Sequence, residues 1–172
     1  MKKTPKDSEV IMHELVLPND TNMLNNLMGG RLLHWMDIAS GIVAQRHAGA
    51  VAVTASVDNV SFAHPIGLGQ VVSIKARITR SFNSSMEVFT EVTAEDNLKG
   101  TKISSNSAYY TFVAVDEQTN KITVPELVPE TEEEKQYFKA ALRRRELRLV
   151  LAGKMNPREA TELKSIFSDK AS

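Results

Sequence analysis

Between Leu32 and His47 the chain carries Leu32, Leu33, Trp35, Met36, Ile38, Ala39, Ile42, Val43 and Ala44. At the period of an α-helix these residues occupy most of the circumference and leave only a narrow polar margin, so the helix calls for burial rather than a place on a surface. The cover comes from segments with a different period. Residues 70–80 put Val72, Ile74, Ala76 and Ile78 on one face and Ser73, Lys75, Arg77 and Thr79 on the other, the alternation of an antiparallel strand with one wet face. Residues 51–61, 85–95 and 102–115 read as further strands, separated by turn chemistry at Pro65 to Gly69, Phe82-Asn83-Ser84 and Asn97 to Gly100. A fifth strand, 9–17, precedes the helix and ends at Pro18-Asn19-Asp20. The expected class is α+β, a sheet curled around one long helix.

The 172 residues suit one domain with an appendage. Around residue 125 the composition shifts, with Pro125 and Pro129 bracketing a linker and Thr131 to Glu134 forming a capping box. We therefore expect a sheet domain over 1–128 and a helical extension over 129–172. In the extension, Phe138, Ala141, Leu142 and Leu149 form a helical stripe ending at Gly153. A second helix is expected from Pro157, capped by Asn156, with Leu163, Ile166 and Phe167 as its apolar face.

Lys plus Arg and Asp plus Glu each number 21, so no net field draws the molecule to nucleic acid or to an anionic membrane. Cysteine is absent, which removes disulfides, thiolate nucleophiles and Cys-bound zinc. The N-terminus lacks the apolar run of a secretory signal, and no stretch approaches a membrane span of about 20 residues. A cytoplasmic protein is expected.

Asp37 stands between Met36 and Ile38 on the apolar helix, where an ionised carboxylate is costly unless hydrogen-bonded or facing a polar pocket. It is a candidate general base or nucleophile; placement on the polar margin is the competing reading. Gly29-Gly30 opens the same helix, where free N–H groups and the dipole could polarise a carbonyl oxygen, or where a tight turn is all that is required. Asn25 and Asn26 lie just upstream. His13, His34, His47 and His64 show no metal-ligand spacing, and His47 with Arg46 reads as a cationic helix end. The run Arg143 to Arg148 reads as a solvated helix end or as a site for a phosphorylated ligand.

The stretch Asn26-Leu27-Met28-Gly29-Gly30-Arg31-Leu32-Leu33-His34-Trp35-Met36-Asp37, followed by Ala39, Gly41, Ala44 and Arg46-His47, resembles the hotdog-fold acyl-CoA thioesterases, in particular the cytosolic acyl-CoA hydrolase group. The likeness continues through Val53-Thr54-Ala55-Ser56-Val57-Asp58, Phe62, Pro65-Ile66, Gly69 and Ser85-Met86-Glu87-Val88, and so covers roughly residues 9–150.

The resemblance implies a five-stranded antiparallel sheet around a central helix, paired with a second copy so that active sites lie between protomers. It implies at least a homodimer, with a trimer of dimers as the expected assembly. Acyl-CoA would be the substrate, with no metal or cofactor beyond the coenzyme A of substrate and product. Asp37 would be the catalytic base or nucleophile and Asn26, from the partner subunit, would orient water or thioester. Gly29, Gly30, Thr54 and Ser85 would hold the substrate, and Arg143 and Arg144 the CoA phosphates. The chain departs from the family at Phe82-Asn83-Ser84-Ser85, which lacks a potential phosphate-binding arginine, and at Met28, where relatives often have histidine. Alternatives are a thioesterase for acyl carrier protein or aryl-CoA, a silent acyl-CoA sensor, and the hydratase branch of the fold.

Overall fold

The computed structural model describes residues 1–168, without the side chains of Phe167 and Ser168. Phe167, one of the three residues predicted to face inward from the last helix, therefore lies outside the described side chains. The chain divides into two compact units, Met1–Val128 and a second beginning at Pro129.

In the first unit the elements are β1 (Lys2–Lys3), β2 (Val10–Leu15), α1 (Gly29–Ala48), β3 (Val51–Phe62), β4 (Val71–Ser81), β5 (Ser85–Asp96), β6 (Thr101–Val115) and β7 (Glu126–Leu127). Strands β2 to β6 form one sheet in the order β2-β4-β5-β6-β3. Every neighbouring pair is antiparallel. Helix α1 packs against all five strands. This is the hotdog arrangement, and its strands fall within about two residues of the alternation in the sequence.

Burial follows the two periods. Leu32, Trp35, Met36, Ala39, Val43 and Ala44 of α1 are buried, as are Val72, Ile74, Ala76 and Ile78 of β4, Met86 and Val88 of β5, and Tyr110 and Phe112 of β6. Ser40, a polar residue on the buried side of α1, is satisfied by a 2.7 Å hydrogen bond to the Thr90 hydroxyl, as a buried hydroxyl must be. The expectation of burial on nearly all sides of α1 fails on one stripe. Ile38 is 41% and Ile42 37% exposed. One sheet of five strands cannot wrap a whole helix, and the open side of α1 accompanies a strand edge, β3, that exposes Val51, Val53, Val57, Val60 and Phe62.

A second difference concerns the end of α1. His47 was expected to be a helix-end cation, but it is fully buried, with Nε2 2.9 Å from the Pro125 carbonyl. Burial lowers its pKa, against the opposing pull of that carbonyl. Arg46 remains as a cation in the last turn, and further positive charge at the helix end comes from Lys3, whose Nζ donates to the carbonyls of Arg46 (2.7 Å) and His47 (2.9 Å). Lys3 is held in a parallel pair, β1 with β7, that aligns Lys2 with Glu126 and Lys3 with Leu127. Two-residue strands have no period to read.

The second unit contains α2 (Glu132–Leu151) and α3 (Thr161–Ser168). The capping box at α2 is as the sequence reads: the Thr131 hydroxyl accepts from the Glu134 N–H and the Glu134 carboxylate from the Thr131 N–H. Helix α3 begins four residues later than Pro157. Asn156 caps a local turn, accepting from the Arg158 N–H at 2.9 Å, rather than the helix itself.

Because burial favours neutral His47 in the folded state, the unfolded chain takes up this proton at a higher pH, near the ordinary value of 6.5, than the folded chain does. His47 therefore lends stability above that pH, and the contribution declines below it until the folded-state value is reached. We predict that thermal unfolding measured from pH 8 to 5 shows a smaller loss of stability below pH 6.5 in His47→Gln than in the wild type.

Candidate functional site

The segment between β2 and α1 is built around asparagine. Asn22 Oδ1 accepts from the N–H groups of Leu24 (2.9 Å) and Asn26 (3.3 Å), while the Asn22 N–H donates to the Asn26 carbonyl at 2.8 Å. Asn25 takes a left-handed backbone, φ 56°, which asparagine tolerates better than most residues. The loop is stitched to the Ile66–Gly69 turn by Leu27 N–H to the Ile66 carbonyl (2.7 Å) and Leu68 N–H to the Asn25 carbonyl (2.9 Å). A cavity of about 330 Å³ lies here, its walls including Asn22, Asn26, Gly29, Phe62, His64 and Asn106.

Gly29 and Gly30 form the first turn of α1, and no side chain caps it. A Cβ on Gly29 would lie 3.3 Å from the Phe62 ring, so glycine permits that close approach; a Cβ on Gly30 would meet nothing within 4 Å. The helix N-terminus is open to a ligand at Gly30, with N–H groups and the positive end of the dipole directed there.

Asp37 lies eight residues farther on, about 12 Å along the helix axis from Gly29. It is half-buried and accepts a 2.8 Å hydrogen bond at Oδ1 from the Thr54 hydroxyl of β3. Thr54 pairs with Phe112 across β3 and β6, which fixes its side chain on the helix-facing side. Beneath them the buried Tyr110 hydroxyl donates to the Leu33 carbonyl at 3.3 Å. Burial, and after it the charge of Asp37, push the Tyr110 phenol well above its usual range, so it remains a neutral donor.

The predicted residues thus fall into separate groups within one chain. Asp37 and Thr54 touch; Asn26 and Gly29 share the cavity with Asn22, which the sequence reading did not single out. Ser85 does not join either group. It pairs with Val113, which pairs with Val53, and alternation puts this row on the face of the sheet away from α1. Arg143 and Arg144, in the second unit, line a groove with Leu147, Leu163 and Ile166, and Arg144 donates to the Tyr137 carbonyl at 3.1 Å. Among the described residues no group of three or more His, Cys, Asp or Glu could hold a metal ion, and no helix is long and apolar enough to cross a membrane.

A model of the thioesterase superfamily matches residues 24–101. Acyl-coenzyme A thioesterase 11 of Mus musculus is 46% identical over 145 residues, covering 84% of this chain and 24% of that protein. The chain therefore spans about a quarter of that relative's length. An uncharacterised acyl-CoA thioester hydrolase of Bacillus subtilis is 40% identical over 139 residues, 81% of each chain. Among solved structures, an apo-hexameric acyl-CoA thioesterase superposes with a TM-score of 0.85 at 34% identity, over 88% of this chain and 97% of that one. The acyl-CoA hydrolase of Staphylococcus aureus, in complex with butyryl-CoA, CoA and CoA disulfide, gives 0.82 at 32% identity, over 90% and 96%. That enzyme has also been solved with alanine replacing an aspartate, a threonine 17 residues after it and an asparagine 15 residues before it.

Proposed function

The chain belongs to the thioesterase superfamily, and from that premise we propose that it hydrolyses acyl-CoA to the free acid and CoA, at sites formed between two copies of itself. The observation that carries the reading is the Asp37–Thr54 pair. An acid on an apolar helix is half-open to solvent and fixed by a hydroxyl at 2.8 Å. Its threonine follows at 17 residues, the same spacing as the aspartate and threonine replaced in the Staphylococcus aureus enzyme.

The corresponding step of 15 residues before Asp37 falls on Asn22. Two asparagines then compete for the part that the family resemblance gave to Asn26. We assign the substrate-facing amide to Asn22, whose Oδ1 is engaged by the loop backbone so that its NH2 group is the end left to address a ligand. Asn26 shapes the wall of the same cavity. Since the cavity and Asp37 lie about 12 Å apart along α1, the asparagine that serves one Asp37 comes from the partner protomer.

In this scheme Asp37 Oδ1 is held by Thr54 and Oδ2 takes a proton from water as the water oxygen attacks the thioester carbon. The oxyanion so formed lies against the Gly30 N–H of the protomer that supplies the asparagine, with Gly29 giving the substrate room to approach. The C–S bond then breaks and the CoA thiolate leaves without requiring a strong acid. The second copy covers Ile38, Ile42 and the β3 edge, a surface that one chain leaves uncovered. Further pairing into a trimer of dimers is supported by the hexameric relative. Ser85, from the outer face of the sheet, and Arg143 with Arg144 are assigned to the CoA portion of the substrate. A raised KM for CoA esters in the Arg143→Ala, Arg144→Ala double variant checks the arginine assignment.

We predict that Asp37→Asn lowers kcat on acyl-CoA by about 10²- to 10⁴-fold, the usual contribution of a positioned general base. Thr54→Val should lower it by about 10- to 100-fold, the equivalent of one hydrogen bond to a charged group. Steady-state assays of free CoA release across acyl chain lengths test both; wild-type turnover in Asp37→Asn removes the assignment.

A further inference from the structure

We propose that Asp20, through its ion pair with Arg31, is a positioning residue that sets the Asn22 amide relative to the first turn of α1. This rests on the assignment of Asn22 made above.

Asp20 ends the short helical turn Pro18–Asp20, and its side chain is only 4% exposed. A carboxylate taken so far out of water is retained only when its oxygens are matched, and here both are. Oδ2 accepts from the Leu17 N–H at 3.1 Å, and Oδ1 accepts from Arg31 Nε at 2.8 Å. The Asp20 carbonyl also accepts from the Met28 N–H at 2.9 Å. One residue therefore grips both the entry and the exit of the loop that carries Asn22 and Asn26, and fastens it to the first turn of the helix, which carries Gly29 and Gly30.

Arg31 is an odd choice for its position. It lies in the first turn of α1, where a cation opposes the helix dipole, and the turn holds no acid of its own. Asp20 supplies the missing negative charge from outside the helix. The guanidinium lies 5.5 Å from the Trp35 ring centroid, so its direction is fixed by a buried aromatic on the next turn. A loop merely needing closure would be served by the backbone bond to Met28. The ion pair adds a link to the first turn of α1 itself, and so fixes the spacing between the Asn22 amide and the Gly30 N–H that act on one substrate. Asn22 stands two residues beyond Asp20, so a shift of Asp20 is passed on to the amide with little slack.

The expected signature is a loss of kcat that depends on the presence of Asn22. Asp20→Asn retains a group able to accept from the Leu17 N–H but removes the charge that holds Arg31; Arg31→Met removes the other partner at a side chain that is 41% exposed, and carries the test if the Asp20 variant fails to fold. Each should lower kcat on acyl-CoA about tenfold with KM changed by less than about threefold, and the double variant should be no worse than either single one. In an Asn22→Ala background neither substitution should lower kcat further. If Asp20→Asn and Arg31→Met leave kcat unchanged, or reduce it by the same factor with and without Asn22, the positioning role is overturned. If Asn22→Ala alone retains wild-type kcat, the assignment of Asn22 falls first and the role of Asp20 falls with it.

Discussion

The constraint on which the rest of the structure depends is that α1 has more apolar surface than five strands can cover. Leu32, Trp35, Met36, Ala39 and Val43 face the sheet, and Ile38 and Ile42 do not. A single chain accordingly keeps an uncovered stripe on its central helix, next to a strand with an unpaired edge. Asp37 lies beside that stripe, reached by Thr54 from β3. The same shortage of cover that calls for a second copy leaves the acid at the boundary where that copy would arrive. Burial, assembly and chemistry are in this sense one problem with one solution.

The polar parts of the site are supported by groups that do not react. The Asn22 loop is closed by its own side chain and by the Ile66–Gly69 turn, and the far end of α1 is held by Lys3 and by neutral His47 against Pro125. Tyr110 supports the Leu33 carbonyl one turn before Asp37. A helix fixed at both ends and beneath its acid is a rigid frame, and rigid elements hold a site more accurately than loops do.

Much of the fold is legible in the residues because each element has a period. The alternation at Val72, Ile74, Ala76 and Ile78 and the apolar run from Leu32 to Ala44 need no structure to interpret. What escapes the sequence is what depends on register or on contacts far along the chain. The Thr54 hydroxyl reaches Asp37 only because β3 pairs with β6 so that Thr54 stands opposite Phe112, and nothing local announces it. His47 looks like a cation at a helix end until Pro125 is found beside it. Among four nearby asparagines, at positions 19, 22, 25 and 26, composition cannot choose; the choice of Asn22 comes from counting back from Asp37 and from the engaged state of its Oδ1.

The central claim, that each site takes its aspartate from one protomer and its asparagine from the other, is tested most directly by complementation. Asp37→Asn and Asn22→Ala chains with different tags are co-expressed, and the mixed oligomer is isolated by both tags and assayed for acyl-CoA hydrolysis. The account predicts activity well above either inactive parent, since each mixed dimer regains one of its two sites. Mixed oligomers no more active than the separate variants, with both chains folded and paired, would contradict it.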